Sequence, residues 1–558
     1  MDKKIISENR SNSPKVILEF EPMQMSPTPG KVLKTRNSDS VLKKDAVKIP
    51  EVLEQIFKYI GVRQLKICRF VCLDWNTEAC RALQKVSHVY LHEDSARTND
   101  FQELVSRGNS LGMASPFRRY FLSVDLFRDE ILKDVIYKDN SFIVELYMNQ
   151  SPSTNNSDFQ MNLQEILTKS SATLKYLRLA LKDGRGSNKS NCVDFIIEII
   201  NSSPNLSQLC SSCTDSRVLE KILLKSDLSH VENIYAESVS GQHVRLLSEI
   251  GIPNLKSLIL QSEVDDLNED QLVPSYVLQN MVRSFAGTLE ELNICWISST
   301  VDSDFPCCPK LKTLHLDGWD GSLGIFDPFR LPALESLFLT NHEEEEDSFF
   351  NPHDGVQKLT IECTRGIGIG PEGLYDDEEF DYLLLYSSKQ FPKIRYLDLT
   401  TSVTDETIRS IIRIFPTLET LILDTTSHLS SHVFTGRNRF ALEKFLAEGS
   451  NLREIDIMPS LRDLKCLKKL VLGRYLGSTY PDGFCLTNHM IQYGIAEMTS
   501  LEELQFNWNP ELAIQVFCDN LRHLKKITVN NSYEKEYQVQ IRELYATIPQ
   551  VVLESNPL

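Results

Sequence analysis

The sequence predicts an α/β fold: a curved solenoid whose short strands form a parallel concave sheet with helices outside it, preceded by three short N-terminal helices. Three observations predict it. The pattern L-x-x-L-x-L recurs through most of the chain, as in Leu311-Lys-Thr-Leu314-His-Leu316 and Leu334-Glu-Ser-Leu337-Phe-Leu339. Stretches of helical period follow many copies, such as Ile408, Ile411, Ile412 and Phe415. Ahead of the repeats, Ile49 to Leu83 compresses three apolar helical series into under about 40 residues, too little chain to bury its own surface fully.

Taken in order, residues 1–45 are rich in Ser, Lys, Asn and Pro and poor in aromatics, so the sequence predicts a disordered tail. The tail holds nine Lys/Arg against six Asp/Glu; with a formal net charge of −18 overall, the remainder carries −21. That acidic balance argues against sequence-independent nucleic-acid binding, which needs a basic face, and favours basic partners. Ser13-Pro14, Ser26-Pro27 and Thr28-Pro29 are candidate proline-directed phosphorylation sites. No apolar run approaches the ~20 residues of a membrane span, and MDKKIISENR lacks a signal-peptide core. Thirteen cysteines without a framework point to reduced thiols, hence to cytoplasm or nucleus, with no membrane partner.

Residues 46–85 are the next unit. Val52, Leu53, Ile56, Phe57 and Ile60 line a helix opened by Pro50 and stopped near Gly61; Leu65, Cys68, Val71, Cys72 and Trp75 continue at helical spacing, and Ala79, Ala82 and Leu83 follow. The opening Pro50-Glu51-Val52-Leu53-Glu54-Gln55-Ile56-Phe57 and the closing Val71-Cys72-Leu73-Asp74-Trp75, with Leu83 beyond, resemble an F-box. That family's pattern is LP-x-E-[IV]-L-x-x-I-F, a hydrophobic middle, V-C-x-x-W and a terminal Leu. Two positions depart from it: Pro50 directly precedes Glu51, and Leu73 replaces the usual basic residue. The resemblance implies docking on a Skp-type adaptor that joins a cullin scaffold, with Pro50, Glu51, Leu53, Ile56, Phe57, Val71, Cys72 and Trp75 as adaptor-binding residues. The alternative role for these helices is to cap the solenoid's exposed end.

Residues 86–558 are the solenoid. Clear copies begin at Leu174, Leu255, Leu289, Leu311, Leu334, Ile394, Leu418, Leu452, Leu467, Leu501 and Leu524, and weaker ones at Val86, Phe121, Ile143, Leu206, Val231 and Val356. Many steps are 22 to 25 residues, the leucine-rich-repeat period, but Leu452 to Leu467 is only 15, so one of those two is not a full repeat. The copy from Leu397 offers Thr404 or Asp405 as a helix cap and Pro416 as a stop; it resembles the cysteine-containing leucine-rich repeats found behind F-boxes, with Ser402 near the cysteine's place. The resemblance to F-box and leucine-rich-repeat proteins thus covers nearly all of the chain after residue 46.

Function is expected on the concave strands and the loops leaving them. Trp296, Trp319 and Trp508 fall just past strands, with Tyr475 in a comparable place; together with Phe338 and Tyr396 on the concave side they are the candidate substrate-binding residues. Acidic clusters at Glu343–Asp347 and Asp376–Glu379 read as solvated loops or as substrate contacts.

Enzymatic motifs fail on inspection. Asp183-Gly-Arg-Gly186-Ser-Asn-Lys189-Ser190 has Asp and Asn where a phosphate loop needs Gly. Cys210-Ser-Ser-Cys213 is a lone CxxC, Cys307-Cys308 sits in a turn, and His428 and His432 lack the neighbouring glutamate of a zincin. No catalytic residue, metal site or cofactor is expected. The reading is a non-catalytic subunit of a ubiquitin ligase complex whose solenoid holds a protein substrate; the alternative is a leucine-rich-repeat scaffold outside any ligase. Plant hormone co-receptors share this length and repeat count, but the basic floor of their small-molecule sites has no counterpart here.

Overall fold

The computed structural model describes residues 50–91 apart from 70 and 87, strands at 119–122 and 145–148, most of 171–530, and 551–554; inside 171–530 it leaves out 173, 181–188, 214, 262–274, 296–304, 318–325, 341–350, 363–376, 426–428, 437–457, 474–485 and 508–510. The tail expected at residues 1–45 lies outside the described residues.

Three helices come first: α1 (Pro50–Phe57), α2 (Val62–Cys68) and α3 (Leu73–Val86). Strands β1 (His88–Leu91) and β2 (Arg119–Leu122) pair in parallel. A 15-stranded sheet follows. Its strands are β3 (Glu145–Met148), β4 (Tyr176–Leu179), β5 (Gln208–Ser211), β6 (Asn233–Ala236), β7 (Ser257–Gln261), β8 (Glu291–Cys295), β9 (Thr313–Asp317) and β10 (Ser336–Thr340), then β11 (Lys358–Glu362), β12 (Tyr396–Ser402), β13 (Thr420–Thr425), β14 (Lys469–Leu472), β15 (Glu503–Asn507), β16 (Lys526–Asn530) and β17 (Val551–Glu554). All pair in parallel and in strict chain order, which defines a solenoid.

Register is what the leucine pattern demands. The fourth residues of the copies stand side by side from Leu177 through Leu209, Ile234, Leu258, Leu292, Leu314 and Leu337. The column continues through Leu359, Leu397, Leu421, Leu470, Leu504 and Ile527. Each is 2% exposed or less, and the outer helices pack onto them in one continuous core. Full burial of such a side chain contributes roughly 1.5–3 kcal/mol. In the copy from Leu397 the helix Asp405–Ile414 forms as the spacing predicts: Thr404 Oγ1 accepts from the Thr407 N–H at 3.3 Å, and Ile408, Ile411, Ile412 and Phe415 are buried.

The structure refines three expectations. The weak copy expected at Phe121 starts earlier, because Tyr120 stands opposite Val89. β13 pairs directly with β14, the strand of the Leu467 copy, while the Leu452 copy lies outside the described residues. Between β8 and β11, where the steps are 22 to 23 residues, the described connections hold turns rather than helices. There Phe305 and Phe326, 2% and 0% exposed, fill the layer that helices occupy elsewhere.

Two buried histidines, which the sequence gave no reason to single out, bracket neighbouring repeats. His243 Nδ1 accepts from the Ser240 N–H at 3.0 Å, so its Nε2–H donates to the Ser216 carbonyl at 2.7 Å. His353 repeats the arrangement between Gly355 N–H and the Leu331 carbonyl. Burial holds His243 below the usual imidazole pKa, so it stays neutral.

From the Val231 copy onward, the second position of the described copies carries a charge ladder. Its residues run Glu232, Lys256, Glu290, Lys312, Glu335, then Gln357, then Arg395, Glu419, Lys468, Glu502 and Lys525. Signs alternate except at Gln357. Lys256–Glu232 (2.8 Å), Lys312–Glu290 (2.7 Å), Lys468–Glu419 (2.7 Å), Arg395–Glu419 (3.1 Å) and Lys525–Glu502 (2.7 Å) are ion pairs between adjacent repeats. Exposed pairs are individually weak. Alternation matters more, because a misplaced repeat would set like charges side by side. The partner lysines hold Glu290 and Glu419 below the ordinary carboxylate value of 4.5, and Glu290 and Glu419 raise Lys312 and Lys468 above 10.5. The stabilisation is therefore complete at neutral pH, lost as pH falls through the lowered carboxylate values, and lost again as pH rises through the raised lysine values.

Lys312→Glu places three carboxylates in a row at Glu290, 312 and Glu335. The melting temperature is expected to fall below that of both wild type and Lys312→Gln. The gap should shrink from ~0.1 M to ~1 M salt, where screening shortens the Debye length from about 10 Å to about 3 Å. A salt-independent difference in differential scanning calorimetry would mean that the ladder exerts no electrostatic control.

Candidate functional site: a two-sided helical module and an open sheet face

Helix α1 is apolar on two sides. Leu53 and Phe57, four apart, point into a small core with Leu65, Ala79 and Leu83, against which Ile60, Cys68, Trp75 and Ala82 pack. Phe57 and Trp75 meet edge to face with centroids 5.5 Å apart. Glu54 and Lys85 clamp α1 to α3 at 2.9 Å, and that hydrogen bond lowers the Glu54 pKa. Inside the bend before α3, Arg69 Nε donates to Asn76 Oδ1 at 3.1 Å. Between α1 and α3 lies a groove of about 420 Å³ rimmed by Lys58, Glu78, Arg81 and Lys85.

A second set of apolar side chains in the module faces water. Val52 and Ile56 on α1 are 38% and 39% exposed, and Tyr59, Ile67, Val71 and Leu73 are 90%, 62%, 59% and 76% exposed. A helix stripe buried inside a domain leaves no such second set. The eight residues expected to bind an adaptor therefore divide. Leu53 and Phe57 belong to the module's interior and Trp75 is half-buried against Phe57, whereas Pro50, Glu51, Ile56, Val71 and Cys72 are exposed. The exposed set also includes Val52, Tyr59, Ile67 and Leu73, which sequence reasoning did not place there. Their signal was legible: Tyr59 lies off the Leu53–Phe57 stripe, and Leu73 is apolar where the motif has a basic residue.

On the sheet, side chains alternate between the core and the face away from the helices, which solenoid geometry makes the concave one. One row on that face runs in register through Arg178, Cys210, Tyr235, Ile259, Asn293, His315 and Phe338. It continues through Thr360, Asp398, Ile422 and Val471. The first seven are accessible, but Thr360, Asp398, Ile422 and Val471 are 2–5% exposed. The face thus has an open half and a closed half. In the closed half Tyr396 donates to Asp398 at 3.3 Å, and Lys358 Nζ lies 4.7 Å from the centre of the Tyr396 ring, so this predicted residue is engaged in the sheet. In the open half Tyr235 donates to Glu237 Oε1 at 2.6 Å and lies 2.7 Å from the Gln261 side-chain amide; burial and Glu237 raise its pKa. His315 stacks at 3.8 Å between centroids on Phe338, another predicted residue, and burial pushes its pKa down to about 4.

Trp296, Trp319, Tyr475 and Trp508 lie outside the described residues, as do residues 343–347 and 181–188 and His428. Cys210 is half-buried, Cys213 and Cys308 are buried and Cys307 is exposed; all are free thiols. Burial raises the Cys210 thiol and pushes Cys308 up to about 12, which disfavours the nucleophilic thiolate. Among the described residues no cluster of three His, Cys, Asp or Glu is placed to hold a metal ion, and no helix is long and apolar enough to cross a membrane.

The fold and these surfaces define the class: a leucine-rich-repeat solenoid with an N-terminal helical module. No protein-family model and no curated protein matches the chain. Solved structures similar to it include the following two. The crystal structure of the Rad7 and Elc1 complex in yeast aligns at 13% identity over 93% of this chain and 98% of that one, with a TM-score of 0.34. CroV588, a novel circular leucine-rich-repeat protein, aligns at 11% identity over 78% of this chain and 66% of that one, with a TM-score of 0.22. At those scores neither carries an argument, and the class rests on the sheet and register above.

Two outcomes follow. Phe57→Ala, which opens a cavity typically costing about 3–5 kcal/mol in a core, is expected to unfold the module, whereas Ile56→Ala leaves it folded. Hydrogen exchange over residues 50–86 reads the difference, and equal protection in both variants would contradict the two-sided assignment. His315 is neutral in the folded chain, so its contribution is complete above about pH 6.5 and lost as pH falls toward 4. Urea midpoints from pH 7 to pH 5 should fall further for wild type than for His315→Leu.

Proposed function

We propose that the chain is the substrate-recognition subunit of a Skp-cullin-F-box ubiquitin ligase. The helical module docks on the Skp-type adaptor, and the solenoid holds a protein substrate. One observation carries the reading: the module completes its own core and still presents Val52, Ile56, Tyr59, Ile67, Val71 and Leu73 to solvent in the segment whose residues resemble an F-box. A helix that merely capped the solenoid would turn that second side toward the repeats. Exposed large apolar residues on short helices, here with Val52, Ile56 and Tyr59 at helical spacing, are the usual anchors of a helix-mediated protein interface. The chain contributes no chemistry of its own in this reading. Holding the substrate near a cullin-bound conjugating enzyme raises the effective concentration of substrate lysines at the thioester.

Co-expression with a Skp-type adaptor and cullin tests it. The intact chain should co-purify with both, and Ile56→Ser/Val71→Ser/Leu73→Ser should lose both while hydrogen exchange shows the module still folded. Failure of the intact chain to hold any adaptor would end the ligase reading and leave a scaffold whose partner's lifetime does not depend on residues 50–86.

A further inference from the structure

We propose that the open half of the concave face binds a basic, amphipathic protein segment, which names the substrate class of the recognition surface and rests on the reading of that face as the substrate side. At the second position of the copies, Glu232, Glu290, Glu419 and Glu502 are each paired with a neighbouring cation. Farther along the concave face Glu503 is likewise paired, with Lys469 at 3.6 Å. The open half differs. Glu237 and Glu291 are half-buried and take hydrogen bonds from Tyr235 and from Ser257 Oγ (2.7 Å), yet neither has a cationic partner among the described residues. Partial burial weakens hydration of a carboxylate, so a cation arriving there gains more than at a fully exposed site.

Across the strands that carry these carboxylates the row presents Tyr235, Ile259 and the polar Asn293, and just beyond Glu291 it presents the neutral imidazole of His315 with the Phe338 ring packed on it. Aromatic and aliphatic surface beside carboxylates that have no cationic partner among the described residues is complementary to a segment with apolar anchors and Lys or Arg beside them. From Cys210 to Phe338, with the cationic Arg178 marking the row's far end, the row crosses six strands. At about 4.8 Å per strand that is roughly 24 Å, the length of a helix of about 16 residues. The chain's formal charge of −18 steers such a segment inward.

The test uses the full-length chain and two fluorescent amphipathic peptides of about 18 residues with identical leucines, one bearing lysines and one glutamates. Fluorescence anisotropy should show binding of the lysine peptide only. Phe338→Ala and Glu291→Gln should each weaken it by about tenfold or more, with Tyr382→Ala on the outer side neutral. Circular dichroism melts confirm folding, and Glu291→Gln keeps the test valid should Phe338→Ala fail to fold. Concave-dependent binding of the glutamate peptide would overturn the basic class while leaving the concave face as the binding side. Binding insensitive to both concave variants, or no binding of either peptide, would overturn the proposal.

Discussion

Stacking of the leucine columns is the constraint on which everything else depends. A single copy such as Leu311 to Leu316 has three apolar side chains on one side of a strand only a few residues long, and it cannot cover them alone. Cover comes from the copy before and the copy after, so the strands must lie parallel, in order and in register. Once that is imposed, every other feature has a fixed address. The second position always falls beside its counterparts and can carry the charge ladder, and its carbonyl accepts the next repeat's N–H groups, as Lys312 accepts from Glu335 and Ser336 at 2.9 Å. The fifth position always faces away from the core and can carry recognition.

The helical module obeys a different constraint, that of size. Some forty residues supply one small core, and Leu53, Phe57, Leu65, Ala79 and Leu83 use it up. None of these residues belongs to the core cluster of the solenoid. Apolar residues left over cannot be absorbed and stay at the surface, which is why one continuous motif contains both folding residues and surface residues.

This explains how far the sequence could be read. The strand positions were legible because L-x-x-L-x-L fixes them to the residue, and the Thr404 cap was legible because capping chemistry is local. Between β8 and β11 the sequence offered only a shorter step; that Phe305 and Phe326 would fill the helical layer among the described residues there depends on packing across repeats. Which of Leu53 and Ile56 is buried was not legible from an apolar pattern alone, since Val52–Ile56 and Leu53–Phe57 are two equally apolar stripes one residue apart on the same helix. The buried histidines escaped for a similar reason: His243 and His353 find their partners 27 and 22 residues away, at a distance set by the repeat and by no local motif.

The division of the concave face has a physical consequence for recognition. Residues at its closed half, Asp398 and Tyr396 among them, spend their hydrogen-bonding and charge on each other, so a ligand there would have to break existing contacts before making its own. At the open half the balance is reversed. Tyr235, His315 and Phe338 are held in place by Glu237, by each other and by strand register, so little side-chain freedom remains to be lost on binding. A face that is preorganised and still accessible is the economical place for specificity. In this chain it lies on the strands from β4 to β10, and recognition there can vary residue by residue without disturbing the leucine columns behind it.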